Sequence, residues 1–143
     1  MAGAFVHRGL AIVALGSCSP CVAWSADWEA LAVDGDQNRY SIDASRLLHE
    51  GGRVKAYVRT EYAVPRTVDV SESPAYAAVD RLVVDCAERS FALESRTYST
   101  STGEDVPAIV GDRQSLDFRP AEPGSMAATI VNRLCSPGDP PKR

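Results

Sequence analysis

From Val54 to Tyr62 the side chains alternate without interruption. Val54, Ala56, Val58, Thr60 and Tyr62 fall on one side, and Lys55, Tyr57, Arg59 and Glu61 on the other. A period of two is the repeat of an extended strand, not of a helix. The first set is largely apolar and the second carries charge, so the strand buries one face and wets the other, as strands of antiparallel sheets do.

The flanking segments supply partners for that strand. Trp28 to Val33 reads as a strand that stops at the turn pair Asp34-Gly35, and Asn38 to Ile42 returns beside it as a first hairpin. Residues 43–48 break the alternation, and Gly51-Gly52 makes the next turn. The polar stretch from Pro65 to Pro74 is expected to be a loop, followed by a turn or short helix over residues 74–78. Val79 to Cys86 then forms a strand with Leu82, Val84 and Cys86 on one face. Ser90 to Ser99 is its pairing partner, with Phe91, Leu93 and Ser95 on one side and Ala92, Glu94 and Arg96 on the other. Leu116 to Phe118 is a candidate last strand.

One helix is predicted, over Met126 to Cys135. Ser125 is a suitable N-cap, Pro137 a stop and Arg133 a complement to the C-terminal dipole, while Met126, Ile130, Val131 and Leu134 form an apolar stripe. That stripe has to bury against something, and the Leu82, Val84, Cys86 face is the available surface. Strands first and helix last give an α+β domain: an antiparallel sheet of five to six strands with a C-terminal helix packed on one face. Ser136 to Arg143, with three prolines, is expected to be a flexible tail.

The beginning of the chain has a different composition. Residues 1–25 contain no acid, carry His7 and Arg8 near the start, hold the apolar run Gly9 to Gly16 and end in small residues before Ala26. This is the pattern of a signal peptide, too short for a helix of about 20 apolar residues that would span a bilayer. An alternative uses Leu15-Gly16-Ser17-Cys18, which resembles a lipobox and would leave Cys18 lipidated. Gly16 is not the favoured residue there, and cleavage after Ser25 is preferred. That cleavage removes Cys18 and Cys21 and leaves Cys86 and Cys135, which in an exported chain favours a disulfide. Closing a loop of that length stabilises a fold by at most about 4 kcal/mol. A metal pair or reactive thiol lacks companions, because His49 is the one histidine past residue 25. The tethered domain therefore runs over residues 26–135.

A net charge of -4 disfavours nucleic acid and anionic membrane as partners, since phosphate contacts need a basic surface. The catalytic patterns also fail. Asp34, Asp36 and Asn38 begin like a calcium loop, but Arg39 stands where glycine is needed and Ser45 where a bidentate glutamate is needed, so a hairpin turn is favoured. Ser90, Ser95 and Ser125 lack a nucleophile motif, and His49 lies in a turn-like segment. Alternation places Asp80 and Asp85 on opposite faces, so they are not a facing acid pair, and Glu88 and Glu94 carry no pattern of their own. No catalytic residue, metal site or cofactor is assigned. The exposed row Lys55, Tyr57 and Arg59 is the candidate contact surface, because tyrosine and arginine are enriched at interfaces.

Several pieces of the chain, in order, carry a family resemblance. Trp28, Tyr40-Ser41-Ile42-Asp43-Ala44-Ser45, the aromatic strand around Tyr57, Asp85-Cys86-Ala87-Glu88-Arg89-Ser90-Phe91, Tyr98, and Pro123-Gly124-Ser125 with a final Cys135 resemble the bacterial surface-adhesin protein E-like domain. The resemblance spans Trp28 to Cys135. It implies an exported domain whose C-terminal helix is disulfide-linked to an antiparallel sheet, with Asp43 and Ser45 at a turn and Ser125 as a cap. It further implies attachment to a host-matrix component, an outer-membrane lipid anchor and a homodimer.

The combined expectation is an exported, non-enzymatic module in the periplasm or at the cell surface, binding an unknown protein or extracellular-matrix component. The alternative is a periplasmic accessory or structural module with no host ligand.

Overall fold

The computed structural model describes residues 25–111 and 115–136. The expected signal peptide, the alternative lipidation site Cys18 and the tail beyond Ser136 lie outside the described residues. The chain forms β1 (Trp28–Val33), β2 (Arg39–Asp43), a short 3-10 turn (Ala44–Arg46), β3 (Leu48–Glu50), β4 (Arg53–Val68), β5 (Ser71–Asp85), β6 (Ser90–Thr100), β7 (Asp105–Val110), β8 (Arg119–Pro120) and α1 (Met126–Cys135). All eight strands join one sheet in the order β1-β2-β4-β5-β6-β7, with β3 beside β4 and β8 beside β6. Every pairing is antiparallel. The sheet-plus-helix expectation holds, with more strands than the five to six expected.

α1 lies on the face that carries Ile42, Val54, Ala56, Val58, Leu82 and Val84, and contributes Ile130, Val131 and Leu134 to that core. Each of the valine, leucine and isoleucine side chains stabilises the fold by roughly 1.5–3 kcal/mol relative to exposure. The alternation read from residues 54–60 survives residue by residue, since Val54, Ala56, Val58 and Thr60 are buried and Lys55, Tyr57 and Arg59 partly exposed. Ser125 caps the helix, its Oγ accepting the Ala128 N–H at 3.1 Å and donating to the Glu122 carbonyl at 2.6 Å. Arg133 in the last turn donates to Glu29 of β1 at 2.8 Å. The Cys86–Cys135 disulfide joins the end of β5 to the end of α1, with the Cα atoms 5.5 Å apart.

Three local expectations are corrected. Residues 65–74 are not a loop, because β4 and β5 continue through them as a ribbon with Arg66 opposite Ala75 and Val68 opposite Ser71. The ribbon's solvated surface explains its polarity, and Pro65 falls where the register slips between Glu61 and Arg66, a place where a missing N–H is tolerated. Residues 74–78 are strand, not a turn or helix, because the ladder from Ala75, Ala77 and Ala78 to β6 overrides alanine's helix preference. The strand expected at 116–118 is instead the pair Arg119–Pro120, and β7 was not foreseen.

A fourth correction concerns the faces of β6. Leu82 opposes Leu93, but Arg81 opposes Ser95, so Glu94 is the extra residue of a bulge. Past it the faces exchange: Arg96, not Ser95, joins the side of Phe91 and Leu93, and it meets Asp80.

Candidate protein-contact face

The sheet face turned away from α1 presents the row Lys55, Tyr57 and Arg59, which the structure keeps together on β4. Two arginines from other elements converge on Tyr57. The Arg46 guanidinium lies 4.0 Å from its ring centroid and that of Arg81, opposite Tyr57 on β5, lies 5.8 Å away. Such contacts are worth about 0.5–1 kcal/mol each at exposed sites. Arg59 reaches toward the Trp28 ring at 6.0 Å.

Both arginines at Tyr57 are held from behind. Arg46 Nε donates to Asp43, which is fully buried and also accepts the Asp27 N–H at 3.1 Å, the Ser45 N–H at 3.0 Å and the Ser45 hydroxyl at 2.6 Å. Burial alone pushes the Asp43 carboxyl up. The donors from Ser45, Arg46 and Asp27 outweigh it and hold the group below the usual aspartate range. Arg81 Nε sits 2.6 Å from Glu94 Oε2, and Glu94 is 5% exposed. Glu94 Oε2 is held by charge alone, a buried acceptor without a hydrogen-bond donor among the described residues. The bulge residue thus places its carboxylate under Arg81.

The outer cations are tied differently. Arg39 and Arg59 both reach Glu61, at 3.1 and 3.0 Å, and Lys55 approaches Glu50 at 3.6 Å. Those two carboxylates are solvent-exposed to a substantial degree, unlike Asp43 and Glu94.

The remaining candidates have structural employment. Asp34 Oδ1 accepts the N–H groups of Asp36 and Asn38 at 2.9 and 3.0 Å, and Oδ2 accepts Asn38 Nδ2 and the Tyr40 hydroxyl at 3.0 and 2.9 Å. The Asn38 side chain does most to hold this carboxyl below the usual range, and the donors make it the hub of a hairpin turn. Asp85 accepts the Glu88 N–H at 3.1 Å, Arg89 takes a left-handed φ of 49°, and Arg89 Nη2 donates to Asn132 Oδ1. The Asp-Cys-Ala-Glu-Arg run therefore builds the corner on which the disulfide and helix close. His49 sits on exposed β3. Among the described residues no cluster of three or more His, Cys, Asp or Glu is placed to hold a metal, and no helix is long and apolar enough to cross a membrane.

Residues 28–136 match surface-adhesin protein E. The chain belongs to the surface-adhesin protein E family. No curated protein and no solved structure matched. For this adhesin E-family chain, some of the residues that carry the resemblance build the corner, cap and bridge just described, while the strand around Tyr57 and the Asp43–Ser45 turn that positions Arg46 belong to the Tyr57 face.

Sequence reading found Lys55, Tyr57 and Arg59 but missed Arg46, Arg81 and Glu94. A hairpin read through residues 65–74 would have carried Arg81 toward Tyr57. Nothing in the sequence pointed to Arg46, whose reach depends on the turn that follows Asp43.

Proposed function

We propose that this adhesin E-family protein is an exported, non-catalytic attachment module that binds another protein through the Tyr57 face. The observation that carries this reading is the convergence of the Arg46 and Arg81 guanidiniums on the Tyr57 ring, 4.0 and 5.8 Å from its centroid, on a sheet face not covered by the helix. Tyrosine and arginine held rigidly lose little freedom on contact and dominate the energetic centres of interfaces. The non-catalytic part of the reading is supported by the candidate groups' existing roles, Ser125 being a helix cap and Asp34 a turn hub.

The test is a binding titration of the immobilised chain with soluble matrix proteins, vitronectin and laminin, at physiological salt. Saturable binding that Tyr57→Ala reduces at least tenfold, with an unchanged thermal midpoint, is the expected result. No saturable binding to either would overturn host attachment. Resistance to protease added to intact cells would place the protein in the periplasm as an accessory module.

A further inference from the structure

We infer that the Tyr57 face takes an extended acidic segment of its protein partner, with carboxylates taking over Arg59 from Glu61, which keeps Arg39, and Lys55 from Glu50. This rests on the reading of that face as the contact surface and adds the chemistry of what it accepts.

The cations around Tyr57 fall into two classes. Arg46 and Arg81 answer to carboxylates whose side chains are 0% and 6% exposed, and exchange of these would strip a buried charge of its partner. They are fixtures that hold the ring. The Glu61 side chain is 35% exposed and that of Glu50 58% exposed, so their ion pairs are of the surface kind that contributes little and is readily traded. Two guanidiniums also divide one carboxylate: Arg39 contacts Glu61 Oε2 and Arg59 contacts Glu61 Oε1. Among the described residues one positive charge is left uncompensated there, on a chain whose net charge is -4. An incoming carboxylate can pair with Arg59 while Glu61 keeps Arg39, at no cost in unpaired charge.

Strand geometry sets the spacing. Lys55 and Arg59 are four residues apart on one side of β4, about 13 Å at the extended rise. Tyr57 stands between them. A segment with acids four residues apart in extended conformation places one at each cation and its middle residue beside Tyr57. The overall negative charge argues against a uniformly anionic partner, which would be repelled at long range. Local acids on an otherwise neutral segment suit the patch.

The experiment follows backbone amide shifts of the ¹⁵N-labelled chain during titration with a blocked heptapeptide bearing glutamate at its second and sixth positions and valine between. The same peptide with lysines is the control. The glutamate peptide is expected to move the amides of residues 55–59 and Arg39, to bind at least threefold more weakly when NaCl rises from about 50 to about 250 mM, and to lose about tenfold in the Arg39→Gln, Arg59→Gln double variant. Glu61→Gln should strengthen binding, since it releases both guanidiniums. Equal binding of the lysine peptide, shifts elsewhere on the sheet, or an unchanged Kd in the double variant would overturn the inference. So would heparin perturbing the same amides more strongly, which would make the partner a polysaccharide. If Tyr57→Ala abolishes matrix-protein binding while the double variant retains it, the acidic segment fails and the contact face stands. If neither variant matters, both fail.

Discussion

Arg96 faces Asp80 across β5 and β6 and grips it at both ends, Nε to Oδ1 and Nη2 to Oδ2, each at 2.6 Å. Fork-on-fork pairs of this kind are the stronger class of charged hydrogen bond, and Asp80 in turn holds the guanidinium even more firmly protonated than usual. The pair sits beside Val58, the residue opposite Asp80 on β4, where the helix-covered core gives way to polar side chains. A double-mutant cycle with Asp80→Asn and Arg96→Gln is expected to give a coupling of about 1–3 kcal/mol in urea unfolding. A coupling near zero would reduce the pair to an ordinary surface contact.

That pair also marks how far the sequence could be read. Strict alternation through Ser90 to Ser99 puts Arg96 on the wrong side of the sheet, because nothing in the residue string signals that Glu94 is an unpaired extra. A bulge shifts facing by one residue, and in a strand one residue inverts every side chain beyond it. The same rule made residues 54–60 legible, where no bulge intervenes. The helix was legible for a different reason: Ser125, the apolar stripe and Pro137 act within a few residues of one another. The ribbon at 65–74 was not, since its strands are held by each other and wet on their sides, so neither hydrophobic alternation nor length announces them. Of the candidate contact face, the β4 row was readable from period two alone. Arg46 and Arg81 were not, because they arrive through a turn and a register.

Reduction of the Cys86–Cys135 bridge should lower stability by about 2–4 kcal/mol, since it frees the connection between the β5 end and α1. The check is urea unfolding with and without reductant, alongside a Cys86→Ser, Cys135→Ser variant that no longer responds. The intact mass of the non-reduced protein should fall about 2 Da below the dithiol. The same spectrum tests the expected cleavage: a chain starting at Ala26 agrees with it, and an acylated Cys18 contradicts it.

Asp43 contributes to the acid side of the stability curve. Its carboxyl is held below the aspartate range in the folded state, so the unfolded chain binds the proton first as pH falls. The stabilisation is complete above the ordinary aspartate value of about 3.9 and is lost as pH drops through the lower folded value. Thermal midpoints should therefore be flat near pH 6 and decline below about pH 4. Asp43→Ala should cost about 2–4 kcal/mol at neutral pH by leaving Arg46 and the Asp27 and Ser45 N–H groups without an acceptor. The variant should also flatten the acid limb, and an unaltered limb would count against the assignment.

Tyr40 acts at the other end. Burial first, and then its hydrogen bond and proximity to Asp34, push the phenol up to about 12. The folded state thus keeps a proton that the unfolded chain gives up near 10, and the associated stability is present below pH 10 and lost as pH rises toward 12. Phenolate absorbance should show Tyr40 ionising late, and Tyr40→Phe should make the alkaline decline shallower. Early ionisation of all five tyrosines would contradict this.

Two glycines separate close packing from turn chemistry. A Cβ on Gly111 would lie 2.1 Å from the Glu94 carbonyl oxygen, the same oxygen that accepts the Gly111 N–H at 2.7 Å. Backbone cannot yield as a side-chain tip can, so Gly111→Ala must shift the chain away from the bulge, at a cost of about 2 kcal/mol or more. Gly35 meets nothing within 4 Å, and the left-handed residue of its turn is Gln37, with φ 65°, so Gly35→Ala should change stability by less than about 0.5 kcal/mol. Because Glu94 holds Arg81 under Tyr57, the Gly111 variant should also weaken binding at the contact face, although Gly111 itself is not part of it. Amide shifts of Tyr57 and Arg81 report that displacement directly. If they stay in place while stability falls, the bulge supports the sheet without positioning the arginine.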